Sequence, residues 1–157
     1  MGMTASLYAV SEQQIEALRS DPAQAFALPS ADGGAVHLDK AWHGIHYLLT
    51  GTAWEGDEPF NFLLHGGDPL GDEEGDELVP RVFDAAETRR LEAALSTLDV
   101  SQLRQRYDPR AMQALDIYPN IWTEKEALPF CLERFGALKD FVLEMARDGR
   151  GMVIFAG

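Results

Sequence analysis

The side chains able to do chemistry gather between residues 39 and 65. Asp39, His43, His46 and Thr50 stand at i, i+4, i+7 and i+11, a spacing that puts them on one side of an α-helix. One carboxylate and two imidazoles on such a face, with Tyr47 close by, form a nitrogen and oxygen set of the kind that holds zinc or iron. The same set would serve as an acid–base pair. His65, beside Gly66-Gly67, supplies a further nitrogen from another segment. The spacing is not that of H-E-x-x-H, where two His at i, i+4 frame a glutamate base. A plainer reading stands beside it: His43 and His46 are partly buried, hydrogen-bonded residues, and Asp39 is a helix N-cap. No metal and no cofactor is therefore assigned.

Other chemistries find less support. There is no G-x-S-x-G nucleophile elbow. Cys131, between Phe130 and Leu132, reads as a buried, inert thiol, since a reactive one needs exposure and a lowered pKa. Gly33-Gly34 and Gly66-Gly67 open no strand-to-helix phosphate loop, and neither G-x-G-x-x-G nor a Walker A pattern occurs. Among the aromatics, Trp42 reads as core. Trp54, flanked by Gly51-Thr52 and Glu55-Gly56-Asp57, suits an exposed interface anchor. Tyr118 and Trp122 are secondary candidates for lining a pocket.

Charge is the strongest regional signal. The chain has 13 Lys+Arg against 26 Asp+Glu, a formal −13. From Ala41 to Pro80 there is no Lys or Arg, while Glu55, Asp57, Glu58, Asp68, Asp72, Glu73, Glu74, Asp76 and Glu77 are all acidic. The bland reading is a solvated loop. The sharper one is an acidic face at Asp72, Glu73, Glu74, Asp76 and Glu77 that meets a basic protein partner. A calcium loop lacks the required ligand spacing. A chain this acidic is repelled by nucleic acid and by anionic membranes, so neither is expected as a partner. Nothing in the pattern fixes an oligomeric state.

The elements that must position these residues are legible from pattern. Residues 3–10 alternate with period two, as a strand does. Ser11 with Gln14 forms a capping box for a helix to about Ser20. Leu38, Trp42, Ile45 and Leu49 make an apolar stripe over 38–50, read as a helix that Gly51 ends. Phe60–Leu64 reads equally as a helical turn or a strand. Residues 78–83 read as an edge strand because Pro80 cannot donate to a central ladder. Helices follow from the caps at Asp84, at Asp99 or Ser101, and at Asp108-Pro109. Residues 117–122 read as extended, and Thr123–Glu126 as a capping box for a last helix to about Asp148. Residues 152–155 form a terminal strand.

With 157 residues and one Cys, the chain fits one domain whose core needs neither disulfides nor structural zinc. No run of about 18 apolar residues occurs, and no secretory signal pattern opens the sequence. A cytoplasmic location is the default expectation. The expected fold is α+β: one domain over 1–157, with a small mixed sheet that includes the N- and C-terminal strands, covered by several helices.

Three stretches carry a family resemblance. They are the opening Met-Gly-Met, the run Asp39-Lys40-x-Trp42-His43-Gly44-Ile45-His46-Tyr47-Leu48-Leu49-Thr50-Gly51, and Ile117-Tyr118-Pro119-x-Ile121-Trp122 before a long helix. Together they resemble the YfbM-like family of bacterial domains of unknown function, over essentially the whole chain. The resemblance implies a small bacterial cytoplasmic α+β protein and carries no catalytic residues. Some bacterial proteins of this size and acidity are immunity proteins, an analogy rather than a reading of a site. Two expectations follow: a non-enzymatic interaction module with an acidic face, or a small-ligand or metal-dependent enzyme built on Asp39, His43, His46 and His65.

Overall fold

Alternation along the strands decides how the molecule is layered. In the computed structural model, which describes residues 3–30, 34–71 and 79–156, five strands form one sheet. They are β1 (Ala5–Val10), β2 (Ala35–Asp39), β3 (Asp68–Pro69), β4 (Arg81–Phe83) and β5 (Gly151–Ala156), in the order β2-β1-β5-β4-β3. Every neighbouring pair is antiparallel, so the sheet expected to be mixed is wholly antiparallel. The α+β architecture with both terminal strands in the sheet is as expected. Those strands are its middle: β1 and β5 pair from Ala5↔Ala156 to Val10↔Gly151.

Leu7, Ala9, Val36, Leu38, Met152 and Ile154 face one side. There they pack against helices α2 (Trp42–Thr50), α3 (Ala85–Leu95) and the 21-residue α6 (Ala127–Arg147). Val10, Val82 and Val153 face the other side, under Ile15 and Leu18 of α1 (Glu12–Ser20) and Ala25 and Leu28 of the 3-10 segment Pro22–Ser30. Two short helices, α4 (Val100–Arg106) and α5 (Pro109–Ala114), close the end of the larger core. No helix among the described residues is long and apolar enough to cross a membrane.

The capping boxes at Ser11/Gln14, Asp84/Glu87 and Asp99/Gln102 are all formed. Four local expectations fail. The helix expected over 38–50 begins only at Trp42. Leu38 and Asp39 belong to β2, Asp39 turns the chain with φ 52°, and the N-cap is Ala41 with no side-chain bond. Leu38 does reach the common core, but from the strand. The segment read as an edge strand is not at the edge: β4 lies between β3 and β5, and Pro80 sits outside it, its carbonyl accepting the Leu70 N–H. Residues 117–122 are a tight turn rather than extended. Ile117 donates to the Met112 carbonyl and Asn120 to that of Ile117, while Thr123–Glu126 forms no box and α6 starts uncapped after Glu126. Residues 60–64 settle as helical turns, with Phe62 N–H on the Pro59 carbonyl and Leu64 N–H on that of Asn61.

Two glycines are fixed by contact and conformation. Gly51 ends α2 with φ 77°, and its N–H donates to the Tyr47 carbonyl. A Cβ on Gly44 would stand 2.2 Å from Cη2 of Trp122, so α2 and the 117–122 turn meet only because that side chain is missing.

Candidate functional site

The histidine face of α2 turns inward. His43 is fully buried and both ring nitrogens are committed. Its Nε2–H donates to the Ala53 carbonyl at 2.7 Å, and its Nδ1 accepts the Tyr118 N–H at 2.8 Å. Those two partners fix the neutral Nε2–H tautomer. Burial lowers the pKa of His43, against the Ala53 carbonyl, which favours the charged ring. No nitrogen of His43 is left for a metal or for proton transfer. Its ring works as a bolt between α2, the 52–56 loop and the 117–122 turn.

His46 is fully buried as well, and neither ring nitrogen makes a well-formed hydrogen bond among the described residues. Burial pushes its pKa down to about 4, overriding the nearby Glu55 carbonyl, and the charges of His43 and His65 act in the same direction. Thr50 turns its hydroxyl back onto the His46 carbonyl at 2.9 Å. Asp39 is exposed at the end of β2, opposite Ala5. The expected convergence of Asp39 with His43 and His46 on one helical face is therefore not formed. No three His, Cys, Asp or Glu among the described residues are grouped to hold a metal ion.

The aromatic candidates divide. Trp122 is core: its Nε1–H donates to the Ile117 carbonyl at 2.7 Å, its N–H to Oε1 of Gln113, and its carbonyl accepts the Tyr107 hydroxyl. Tyr118 is half-buried, stacked on Trp42 with ring centres 6.0 Å apart, and its hydroxyl accepts the Met3 N–H. Trp54 is 53% exposed, yet its inner face lies 4.2 Å from the His43 ring centre and its carbonyl accepts the His65 Nε2–H. Its indole is thus half exposed and held from behind by His43. Cys131 is wholly buried and its thiol is pushed up to about 12 by that burial, as an inert thiol requires.

The surface concavity with converging polar groups lies elsewhere, between the 58–67 turns and α3. A cavity of about 250 Å³ has Glu58, Asn61, His65, Glu87 and Arg90 as its polar wall and Phe62, Phe83 and Leu91 as its apolar one. Of these only His65 is among the residues singled out from sequence. Asn61 is 7% exposed. Its Nδ2–H donates to the Gly56 carbonyl at 2.9 Å, and its Oδ1 has no partner among the described residues. Burial raises the pKa of Glu87, countered by the Asp84 N–H that its carboxylate accepts. The charges of Asp84 and Asp68 raise it further, and that of Arg90 lowers it.

Behind this wall sits Arg81, 9% exposed. Its Nη1 donates to the carbonyls of His65 and Gly66, and its Nη2 to those of Phe62 (2.9 Å) and Leu63 (2.7 Å). Four carbonyls around one guanidinium pin the irregular 62–66 stretch to β4 through charge-assisted bonds. The available signal was an arginine inside the apolar run Val79-Pro80-Arg81-Val82-Phe83, the first base after forty residues without one. Asp72, Glu73, Glu74, Asp76 and Glu77 lie outside the described residues.

These features place the molecule in a class before they assign it a role. The chain belongs to a family defined as a domain of unknown function, DUF1877, whose model matches residues 1–155. Among solved structures it is similar to YfbM, a protein of unknown function from Escherichia coli, with TM-score 0.78 and 18% identity over 98% of this chain and 99% of that one. At that identity the likeness speaks for the fold, and the YfbM-like resemblance of the sequence holds across the chain. No curated protein matches it.

Proposed function

We propose that this chain is a non-enzymatic protein-interaction module of a bacterial cytoplasm, immunity-like in that an acidic face engages a basic protein. The observation that supports the reading is the segregation of charge: nine acids and no base from Ala41 to Pro80. Within that stretch the exposed indole of Trp54 stands among exposed Glu55, Asp57 and Glu58. Asp72, Glu73, Glu74, Asp76 and Glu77 follow in sequence between β3 and β4. An anchored aromatic beside a one-sign field combines the two ingredients of fast, specific docking: steering by charge and a desolvated contact. The alternative, a ligand or metal centre on Asp39, His43 and His46, draws no comparable support, because both His43 nitrogens are hydrogen-bonded within the fold.

The test is affinity capture from host lysate at low and high salt, with two controls: charge reversal at Glu73, Glu74, Asp76 and Glu77, and Trp54→Ala. A basic protein should be recovered in stoichiometric amount, should dissociate as salt rises, and should be lost with either variant. Equal recovery by the wild type and the charge-reversed chain refutes the acidic face.

A further inference from the structure

Two segments far apart in the chain are tied to α2 by one ring, and the two ties make opposite demands on its protons. His43 holds the 52–56 loop through its Nε2–H, which donates to the Ala53 carbonyl. It holds the 117–122 turn through its Nδ1, which accepts the Tyr118 N–H. The first bond needs a nitrogen that carries hydrogen, and the second needs one that does not. Only the neutral ring satisfies both, because the charged ring has two donors and no acceptor.

A proton added to His43 therefore acts unequally on its two sides. On the loop side the bond to Ala53 becomes charge-assisted. The Trp54 ring, with its centre 4.2 Å from that of His43, presents a π surface to the new charge. On the turn side an Nδ1–H would meet the Tyr118 N–H, donor against donor. Tyr118 is otherwise held by its ring, stacked on Trp42, and by its hydroxyl, which accepts the Met3 N–H. Ile117 and Trp122 are buried on either side of it. The part of the turn that can lift is thus its tip, residues 118–120.

Each segment around the ring brings its own titratable groups. His46 lies on the same helix, and the charge of His43 helps to lower its pKa. His65, from the 57–65 turns, acts on His46 in the same sense and donates to the Trp54 carbonyl. Tyr118 belongs to the turn. Glu55 of the loop and Asp116 beside the turn are exposed. Burial holds His43 below 6.5, against the Ala53 carbonyl, so the resting ring at neutral pH is neutral and closed on both sides.

We propose that His43 is a one-sided acid latch: protonation of its ring releases the 118–120 tip of the turn while the 52–56 loop, with Trp54, stays bound to α2. Lifting Tyr118 uncovers Trp42, which is 1% exposed in the closed form and has its ring centre 6.5 Å from that of Trp54. Acid thereby turns a single exposed indole into a two-indole surface.

The experiment follows histidine ring nitrogens and amide exchange of the full chain by NMR from pH 7.5 to 5. At pH 7.5 His43 should be the Nε2–H tautomer, and an Nδ1–H tautomer overturns the latch. Above pH 6.5 the ring is neutral whether open or closed, so Tyr118 amide protection, taken relative to the intrinsic exchange rate, should be constant. Below 6.5 opening takes up one proton, and protection should fall about tenfold per pH unit until His43 itself titrates. A flat profile overturns the latch. So does a Tyr118 protection equal at every pH to that of the slowest β1 and β5 amides, since only global unfolding would then expose it. His46→Leu should leave the Tyr118 profile in place, and a profile flattened by that change would make His46 the sensor instead. The His43 Nε2–H should exchange with water more slowly than the Tyr118 site opens. Exchange at the opening rate would show that the loop lets go as well and would refute one-sided release.

Discussion

Removing His46 should change how the protein responds to acid far more than how stable it is at neutral pH. In the fold its imidazole is fully buried, with neither nitrogen in a well-formed hydrogen bond among the described residues and a pKa of about 4, against 6.5 in an open chain. Between those two values the unfolded chain holds a proton that the native state does not. Stability must therefore fall as pH drops from 6.5 towards 4. At about 1.4 kcal/mol per pH unit the gap amounts to roughly 3 kcal/mol, a large part of the stability of a small domain. Burial lowers His43 in the same direction. Acid acts on other groups of the chain as well, so the informative quantity is a difference. His46→Leu deletes both orphan nitrogens at similar volume, and removing unpaired polar atoms is near neutral or stabilising. Urea unfolding of wild type and variant at pH 7.5, 6, 5 and 4.5 should give near-equal stabilities at the first pH. The variant should then be progressively favoured, by roughly 3 kcal/mol at the acid end. Parallel pH profiles, or a loss above about 2 kcal/mol at pH 7.5, would refute the reasoning by showing that the ring is either solvated or hydrogen-bonded.

Three further outcomes follow from the packing. Gly44→Ala drives a methyl to 2.2 Å from the Trp122 ring and should cost about 3 kcal/mol, read as a drop in thermal midpoint with the Trp122 fluorescence environment altered. Arg81→Met leaves the carbonyls of Phe62, Leu63, His65 and Gly66 without that donor. It should destabilise by at least about 3 kcal/mol and speed proteolysis within 56–71, whereas a variant as stable as the wild type would show the cage to be dispensable. Cys131, with its thiol near 12 and no exposure, should be inert to a thiol reagent at pH 8 in the native state and react fully once urea unfolds the chain.

Local signals in the sequence were legible and distant ones were not. Ser11 with Gln14, and Asp84 with Glu87, form boxes within four residues, and such contacts follow from spacing alone. The alternation of residues 5–10 likewise told which residues would face each layer. The 38–50 stretch misled because Leu38 serves the same core as Trp42 and Ile45 whether it arrives on a strand or a helix. Only the φ of Asp39 reveals the change. His43 could not be assigned because one of its partners, Tyr118, is 75 residues away. The cavity went unread for the same reason: Glu58 and Asn61 come from one turn, and Glu87 and Arg90 from a helix more than twenty residues on.

The position of β5 carries a consequence for synthesis. It lies between β1 and β4, yet it follows both of them in the chain and leaves the ribosome after them. Until residues 151–156 emerge, β1 can pair only with β2, and β4 only with β3, as two separate ribbons with bare inner edges. Helices α1 to α6 all precede it in the chain and would until then lack a continuous surface to settle on. This six-residue strand thus works as a keystone inserted after its neighbours, and the nascent chain must be kept from bridging its open edges with those of a neighbour until it arrives.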